Sequence, residues 1–360
     1  MTEMWVNMGP QHPMTHGLWN LRVKIDGEII TDATPVIGYL HRGWEKMVEA
    51  RDFKQIIPLA DRLCYGSSLT WSHLYVRTIE ELMDVDVPER AQWIRVITLE
   101  MQRISSHLMW LAAVGTDLGS YTIFLYCMRE RELFLDLMTN LTGARMTYNY
   151  VRIGGVRNDL PPNFERDTLR VLKLFEERMK EYEALCDRTT SFRVRMEDVG
   201  MLTPADAMNL GVTGPNMRGS KIDFDIRRDD PYETYDQVDF EVCVEDTCDS
   251  FARYRVRMRE MEVSCDIIRQ ALKKLRDGPV RVKAPNNAPS GSAFFHVEDP
   301  RGEGLMYAIG DGTNQPYRLK VRSPIFVSVS ATPVMLIGEK MADVPAIMGS
   351  IDMCLGETDR

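Results

Sequence analysis

Two histidines stand four residues apart near the N-terminus, in Gly9-Pro10-Gln11-His12-Pro13-Met14-Thr15-His16-Gly17. On a helix that spacing would aim both imidazoles at one metal ion, but Pro10 and Pro13 forbid a helix here. The segment reads as a rigid loop between strands that holds an imidazole at a fixed point. A hydrogen-bonded turn without chemistry fits the same residues. The seven cysteines (Cys64, Cys127, Cys186, Cys243, Cys248, Cys265, Cys354) never form a Cys-x-x-Cys pair, and their number is odd. Neither a disulfide framework nor a zinc ribbon follows, and buried small hydrophobes are the simplest reading. The 23 methionines are core filler that also suits a flexible apolar ligand. No Gly-x-Gly-x-x-Gly follows a strand, which disfavours a nucleotide-binding dehydrogenase.

The elements that must position these residues follow from periodicity. Leu18 to Ile25 alternates apolar and polar residues, Asp26-Gly27 is a hairpin turn, and Glu28 to Thr34 is a returning strand. Pro88 then opens a long helix with Ile94, Ile97, Met101, Ile104, Leu108 and Leu111 on one face. Further helices span about Thr122 to Leu141, Phe164 to Cys186 and Phe251 to Leu275, with a shorter helical stretch around Leu59 to Met83. Their apolar stripes face inward in a bundle. Thr189 to Ser250 is too long for a plain connection and is expected to be an excursion with its own packing or a partner contact. After Gly278-Pro279, short strands are expected at Phe294 to Val297, Leu305 to Ile309, Tyr317 to Val321 and Ile325 to Val329. The fold class is α+β. It divides into a β-rich domain (1–50), a helical bundle (51–280, excursion 189–250) and an irregular β-containing region (281–360).

The chain of 360 residues is 44% hydrophobic, 27% charged and 9% aromatic, the composition of an ordinary globular protein. A net charge of -9 argues against a nucleic-acid partner. Arg227–Arg228 and Arg318–Lys320–Arg322 are basic clusters best read as solvated faces. No stretch reaches the roughly 18 to 20 apolar residues that cross a bilayer. Ser323 to Gly338 comes nearest, and it is broken by Pro324 and Pro333. The N-terminus lacks a signal core, so a soluble chain on the cytoplasmic side is expected, peripheral to any membrane partner.

A series of motifs carries a resemblance. It runs from Gly9–Gly17 through Ile37-Gly38-Tyr39-Leu40-His41-Arg42-Gly43-Trp44-Glu45-Lys46, Asp61-Arg62-Leu63-Cys64-Tyr65, Asp117-Leu118-Gly119 and Arg129-Glu130-Arg131-Glu132. It continues through Gly143-Ala144-Arg145-Met146, Arg152-Ile153-Gly154-Gly155-Val156, Leu210-Gly211-Val212-Thr213-Gly214-Pro215, Asp239-Phe240, Arg301-Gly302-Glu303, Pro316-Tyr317-Arg318 and Gly349-Ser350-Ile351-Asp352. In this order, over essentially the whole chain, the series resembles the NuoD-type (49-kDa) subunit of respiratory complex I or its archaeal deazaflavin-linked counterpart. That family is related to the large subunit of nickel–iron (NiFe) hydrogenases, whose fold is expected here.

The resemblance implies a quinone-reducing translocase subunit that holds no metal of its own. Electrons reach the quinone from a 4Fe–4S cluster in the adjacent NuoB-type small subunit. NuoC-, NuoI- and membrane NuoH-type subunits complete the surroundings. The family's headgroup-binding histidine and tyrosine map onto His16 and Tyr65, and the aspartate paired with that histidine maps onto Asp117. An imidazole near pKa ~6.5 releases a proton readily, whereas a phenol near ~10 yields one only to a strong base. Once His16 has donated, Asp117 is left an unpaired carboxylate, and relief of that charge is expected to start coupling to ion pumping. Arg42 and Arg62 map onto arginines beside the partner's cluster, where a guanidinium raises its potential.

Two departures refine the expectation. Thr147 stands where better-known quinone enzymes place a histidine, which implies a low-potential acceptor such as menaquinone or a methanophenazine-like carrier. In Arg62-Leu63-Cys64-Tyr65-Gly66-Ser67 and Asp352-Met353-Cys354-Leu355-Gly356-Glu357, each hydrogenase Cys-x-x-Cys pair keeps one cysteine. Two thiolates are too few for nickel and iron, and Cys64 and Cys354 read as relics facing each other. The competing readings are a hydrogenase-like catalytic subunit with a degenerate metal site and a scaffold that never touches quinone.

Overall fold

The computed structural model describes residues 3–10 and 17–360. Strands β1 (Met4–Met8), β2 (Asn20–Asp26) and β3 (Ile29–Val36) form one antiparallel sheet in that order. Met8 pairs with Leu21, so the sheet pins both ends of the leading loop, and a two-residue turn, Gly27-Glu28, joins β2 to β3 one residue beyond the expected Asp26-Gly27. His12 and His16 lie outside the described residues.

Helices α1 (Trp44–Val48), α2 (Phe53–Ala60), α3 (Ser68–Met83), α4 (Glu89–Asp117) and α5 (Tyr121–Thr142) follow. The helical stretch expected around Leu59 to Met83 begins only at Ser68, as α3, and residues 61–67 separate it from α2. Gly66 marks the break: a Cβ there would stand 2.9 Å from the Arg301 guanidinium. A hairpin of β4 (Val151–Arg152) and β5 (Gly155–Val156) precedes α6 (Phe164–Leu185). Helix α4 packs against α5 and is buried nearly all round, the mark of a core helix.

The excursion carries the short helices α7 (Thr190–Met196), α8 (Pro204–Leu210), α9 (Pro215–Arg218) and α10 (Ile226–Asp229) before α11 (Ser250–Lys274), which packs on α4. It sends charge into the bundle. Arg218 reaches Glu260 at 2.6 Å and Glu298 at 2.8 Å, Arg227 pairs with Asp225 at 2.7 Å, and Glu233 meets Arg95 at 2.9 Å. Arg227 is therefore no solvated residue, as expected from its basic neighbour Arg228, but is fully buried. The excursion supplies its counter-ion from two residues away, and α4 supplies another in Glu100. Breaking one member of such a buried pair typically costs about 3–5 kcal/mol.

Strands β6 (Ser290–Asp299), β7 (Gly302–Asp311) and β8 (Pro316–Arg322) form an antiparallel meander against α3. The segment expected as a fourth strand, Ile325 to Val329, is helical: α12 (Pro324–Ser330). Its β-branched residues suggest a strand, but Ser323 accepts from the N–H groups of Ile325 and Phe326, and Pro324 occupies the first turn. That cap and proline outweigh the side-chain preference. Helices α13 (Thr332–Leu336), α14 (Val344–Ile351) and α15 (Leu355–Asp359) end the chain. The fold is mixed α+β, about 51% helix and 15% strand in small sheets. No helix among the described residues is long and apolar enough to cross a membrane.

Candidate functional site

The break between α2 and α3 opens into a cavity of about 530 Å³, walled in part by Tyr39, Leu40, Leu63 and Tyr65. Gly17, Arg42, Arg62, Thr147 and Gly356 complete most of the rest, so parts of the chain distant in sequence meet at one place. Gly17 has φ +125, and a Cβ on it would lie 2.5 Å from Leu40 Cδ1. Glycine is thus required for the leading loop to pass this wall. Tyr65 is about a third exposed, and burial, helped by the thiols of Cys354 and Cys64, pushes its phenol well above the ordinary tyrosine range.

Another part of the wall hangs from α15. Asp359 accepts from the Gly38 N–H at 2.8 Å with one carboxylate oxygen and from the Leu40 N–H at 2.7 Å with the other. Its backbone carbonyl lies 2.6 Å from His41 Nδ1, which must therefore carry the proton, leaving Nε2 as the ring's acceptor in the neutral form. Arg42 donates to the Arg62 carbonyl at 2.8 Å, and Arg62 donates to the Pro58 carbonyl at 2.7 Å.

Behind Leu63, Tyr65 and Gly356 lies a second, closed group. One ligand atom each from Cys64, Cys354 and Glu357 lies within 4.8 Å of the others, and all three residues are buried. The two thiols thus face each other. Glu357 accepts from Trp71 Nε1 and Ser323 Oγ, both at 3.0 Å, and burial together with Cys64 and Asp299 holds its carboxyl well above the usual range. Arg301 is the cation of this group, bonded to Asp352 Oδ1 at 3.1 Å and to Ser106 Oγ at 3.1 Å. The set does not fit a nickel–iron pair, because it offers two thiols and one carboxyl, and Arg301 already contributes positive charge.

Asp117 ends α4, apart from the residues that line the cavity. Burial pushes its carboxyl up to about 6, and its Oδ2 has no hydrogen-bond partner among the described residues. The structure therefore brings together Tyr65, Arg42 and Arg62, with Thr147, in one cavity; His16 lies outside the described residues, next to a residue that lines it. Sequence reasoning gave no role to His41, Asp359, Glu357 or Arg301. The motif positions of His41, Arg301 and Glu357 signalled those three, and nothing signalled Asp359.

Residues 117–290 and 283–360 match the family model described as the respiratory-chain NADH dehydrogenase 49 Kd subunit. The chain belongs to that family. A subunit of the NADH-quinone oxidoreductase of Geobacillus thermodenitrificans is 45% identical over 99% of this chain and 98% of its own length. A subunit of the F(420)H(2) dehydrogenase of Methanosarcina mazei is 43% identical, again over 99% of this chain and 98% of its own. Among solved structures, a chain of the membrane-bound sulfane sulfur reductase, an archaeal respiratory membrane complex, superposes with TM-score 0.95 at 35% identity. It covers 99% of this chain and 98% of that one. This 49-kDa-type subunit thus shares its fold with members of multisubunit respiratory complexes.

Proposed function

We propose that this 49-kDa-type subunit reduces a quinone, or a methanophenazine-like carrier, in the cavity beside Tyr65. The observation that carries the reading is the convergence of Tyr65, Arg42, Arg62, Thr147 and the Gly17 wall on one space. The quinone takes two electrons from a 4Fe–4S cluster of the adjacent NuoB-type subunit and two protons, giving the quinol. No metal of this chain takes part. His16 and Tyr65 donate at the two carbonyl oxygens. A phenol held above its ordinary pKa releases its proton only to a strongly basic oxygen, so Tyr65 acts late, once the headgroup carries electrons. Asp117, with one oxygen lacking a partner among the described residues, is the orienting carboxylate of His16 and carries the coupling charge.

Arg42 and Arg62 face the cluster-bearing subunit and hold its potential up. NuoC-, NuoI- and NuoH-type subunits surround the site, and the chain sits peripherally on the cytoplasmic face of the membrane. The absence of a histidine at position 147 favours a low-potential, menaquinone-like acceptor. A hydrogenase-like reading would need thiolates where Ser67 and Glu357 stand.

Tyr65→Phe in the intact complex tests the assignment. It removes only the hydroxyl, so kcat/KM for quinone should fall on the order of 10² to 10⁴-fold. Electron input to a water-soluble dye that bypasses the cavity should be unchanged. Unaltered quinone turnover would overturn the reading.

A further inference from the structure

A separate cavity, of about 580 Å³, is lined by Lys54, Arg152, Arg281 and Lys283, and no aspartate or glutamate lines it. Among the described residues none of these four makes an ion pair, while other surface cations do: Arg90 pairs with Asp159, and Arg318 with Glu49. Lys54 donates instead to Asn286 Oδ1 at 2.7 Å, and Arg152 to Asn149 Oδ1, both neutral partners. Burial, Arg157 and Arg281 hold the Arg152 guanidinium below its ordinary pKa against the pull of Asp61, so two of the four lining cations, Arg152 and Arg281, repel each other. In a chain of net charge -9, such a one-signed concavity is stabilised by an incoming anion.

The other walls say which anion. Ile57, Pro58, Ile153 and Val282 offer apolar surface that inorganic phosphate has nothing to place against. A polypeptide has both parts, carboxylates for the cations and apolar side chains for the walls, which is the make-up of a subunit interface. Arg152 adds a planar fork suited to a carboxylate. The cavity is tied to the Tyr65 loop: the Pro58 carbonyl holds Arg62, and the Asn149 N–H reaches Asp61 Oδ2 at 2.5 Å. We infer that this cavity receives an acidic segment of a neighbouring subunit, its carboxylates paired with Lys54, Arg152, Arg281 and Lys283. The inference stands whichever side chains contact quinone.

Zero-length carbodiimide cross-linking of the intact complex, read by mass spectrometry, tests it. The expected product is an amide between Lys54 or Lys283 and an aspartate or glutamate of another subunit. In the Lys54→Glu/Lys283→Glu complex, release of this chain should need a severalfold lower salt concentration than in the parent. Cross-links confined to this chain, with unchanged salt resistance, would overturn the proposal. So would an intact variant complex that instead loses binding to phosphatidylglycerol vesicles, since the cavity would then face lipid.

Discussion

Cys64 and Cys354 bring their thiols within 4.8 Å of each other and of Glu357, directly behind the wall that carries Tyr65. Burial, a hydrogen bond with Cys354 and the nearby Asp299 hold Cys64 well above its ordinary pKa, against the pull of Arg301. Cys64 and Glu357 are thus held in their protonated forms. Arg301 is paired with Asp352, and Arg301→Leu would leave that buried carboxylate without its bonded cation. Loss of about 3–5 kcal/mol is expected, read as a large drop in the denaturation midpoint, with Arg301→Lys in between. A midpoint within the error of the parent would refute this.

Glu357→Gln is expected to be mild for the fold. Its carboxyl is held well above the usual range, so the amide mimics the protonated form and can still accept one of the bonds from Trp71 and Ser323. Thermal unfolding should shift by only a few degrees. An infrared difference spectrum should lose a protonated-carboxyl band; retention of every such band would count against a protonated Glu357.

Gly17→Ala tests the passage of the leading loop. The added methyl collides with Leu40 at a positive φ, and such crowding typically costs about 1–3 kcal/mol. Because Leu40 is a cavity wall, KM for quinone should rise more than kcat falls. Equal changes in both would point to damage elsewhere.

Asp117→Asn separates stability from coupling. The unfolded chain ionises this carboxyl near its ordinary 3.8, whereas burial delays it in the fold to about 6. Stability is therefore lost as pH climbs from about 4 through about 6, and the loss is complete above that. Asparagine avoids the loss, so the variant should be more stable at pH 7 by about 1–2 kcal/mol, less than the full shift because the group is partly solvated. Melting curves at pH 3 and 7.5 would show it, the gain close to zero at the lower pH and full at the higher. Under the proposed mechanism, quinone affinity stays near the parent's while ion-coupled turnover falls. Turnover equal to the parent's would remove Asp117 from the coupling step.

Asp359→Ala would strand the N–H groups of Gly38 and Leu40. Each donor left unsatisfied costs about 1–3 kcal/mol where water cannot replace the bond. Hydrogen exchange at residues 37–42 should speed up while the helical bundle is unaffected; unchanged exchange there would show that the anchor is dispensable.

The long helices and three C-terminal strands are legible because each bears its own period. Ile94 through Leu111 marks α4 without help from anything distant. The α2–α3 break is not, since the apolar pattern runs across it and its cause, Arg301 against Gly66, lies far along the chain. Ile325 to Val329 misleads because its β-branched residues draw the eye from the Ser-Pro cap that decides it. In the site, Tyr65, Arg42 and Arg62 are found through their motifs. The bond from His41 to Asp359 spans 318 residues and leaves no local trace. Arg227 looks like surface because a sequence cannot display the two carboxylates that neutralise it.

The anchor at Asp359 also imposes an order of events. The N–H groups of Gly38 and Leu40 gain their partner from a residue translated more than three hundred positions later. A nascent chain cannot finish this chamber until Asp359 has emerged from the ribosome, however well its helices have already formed. Copies cut before Asp359 would offer assembling neighbours an unlatched wall.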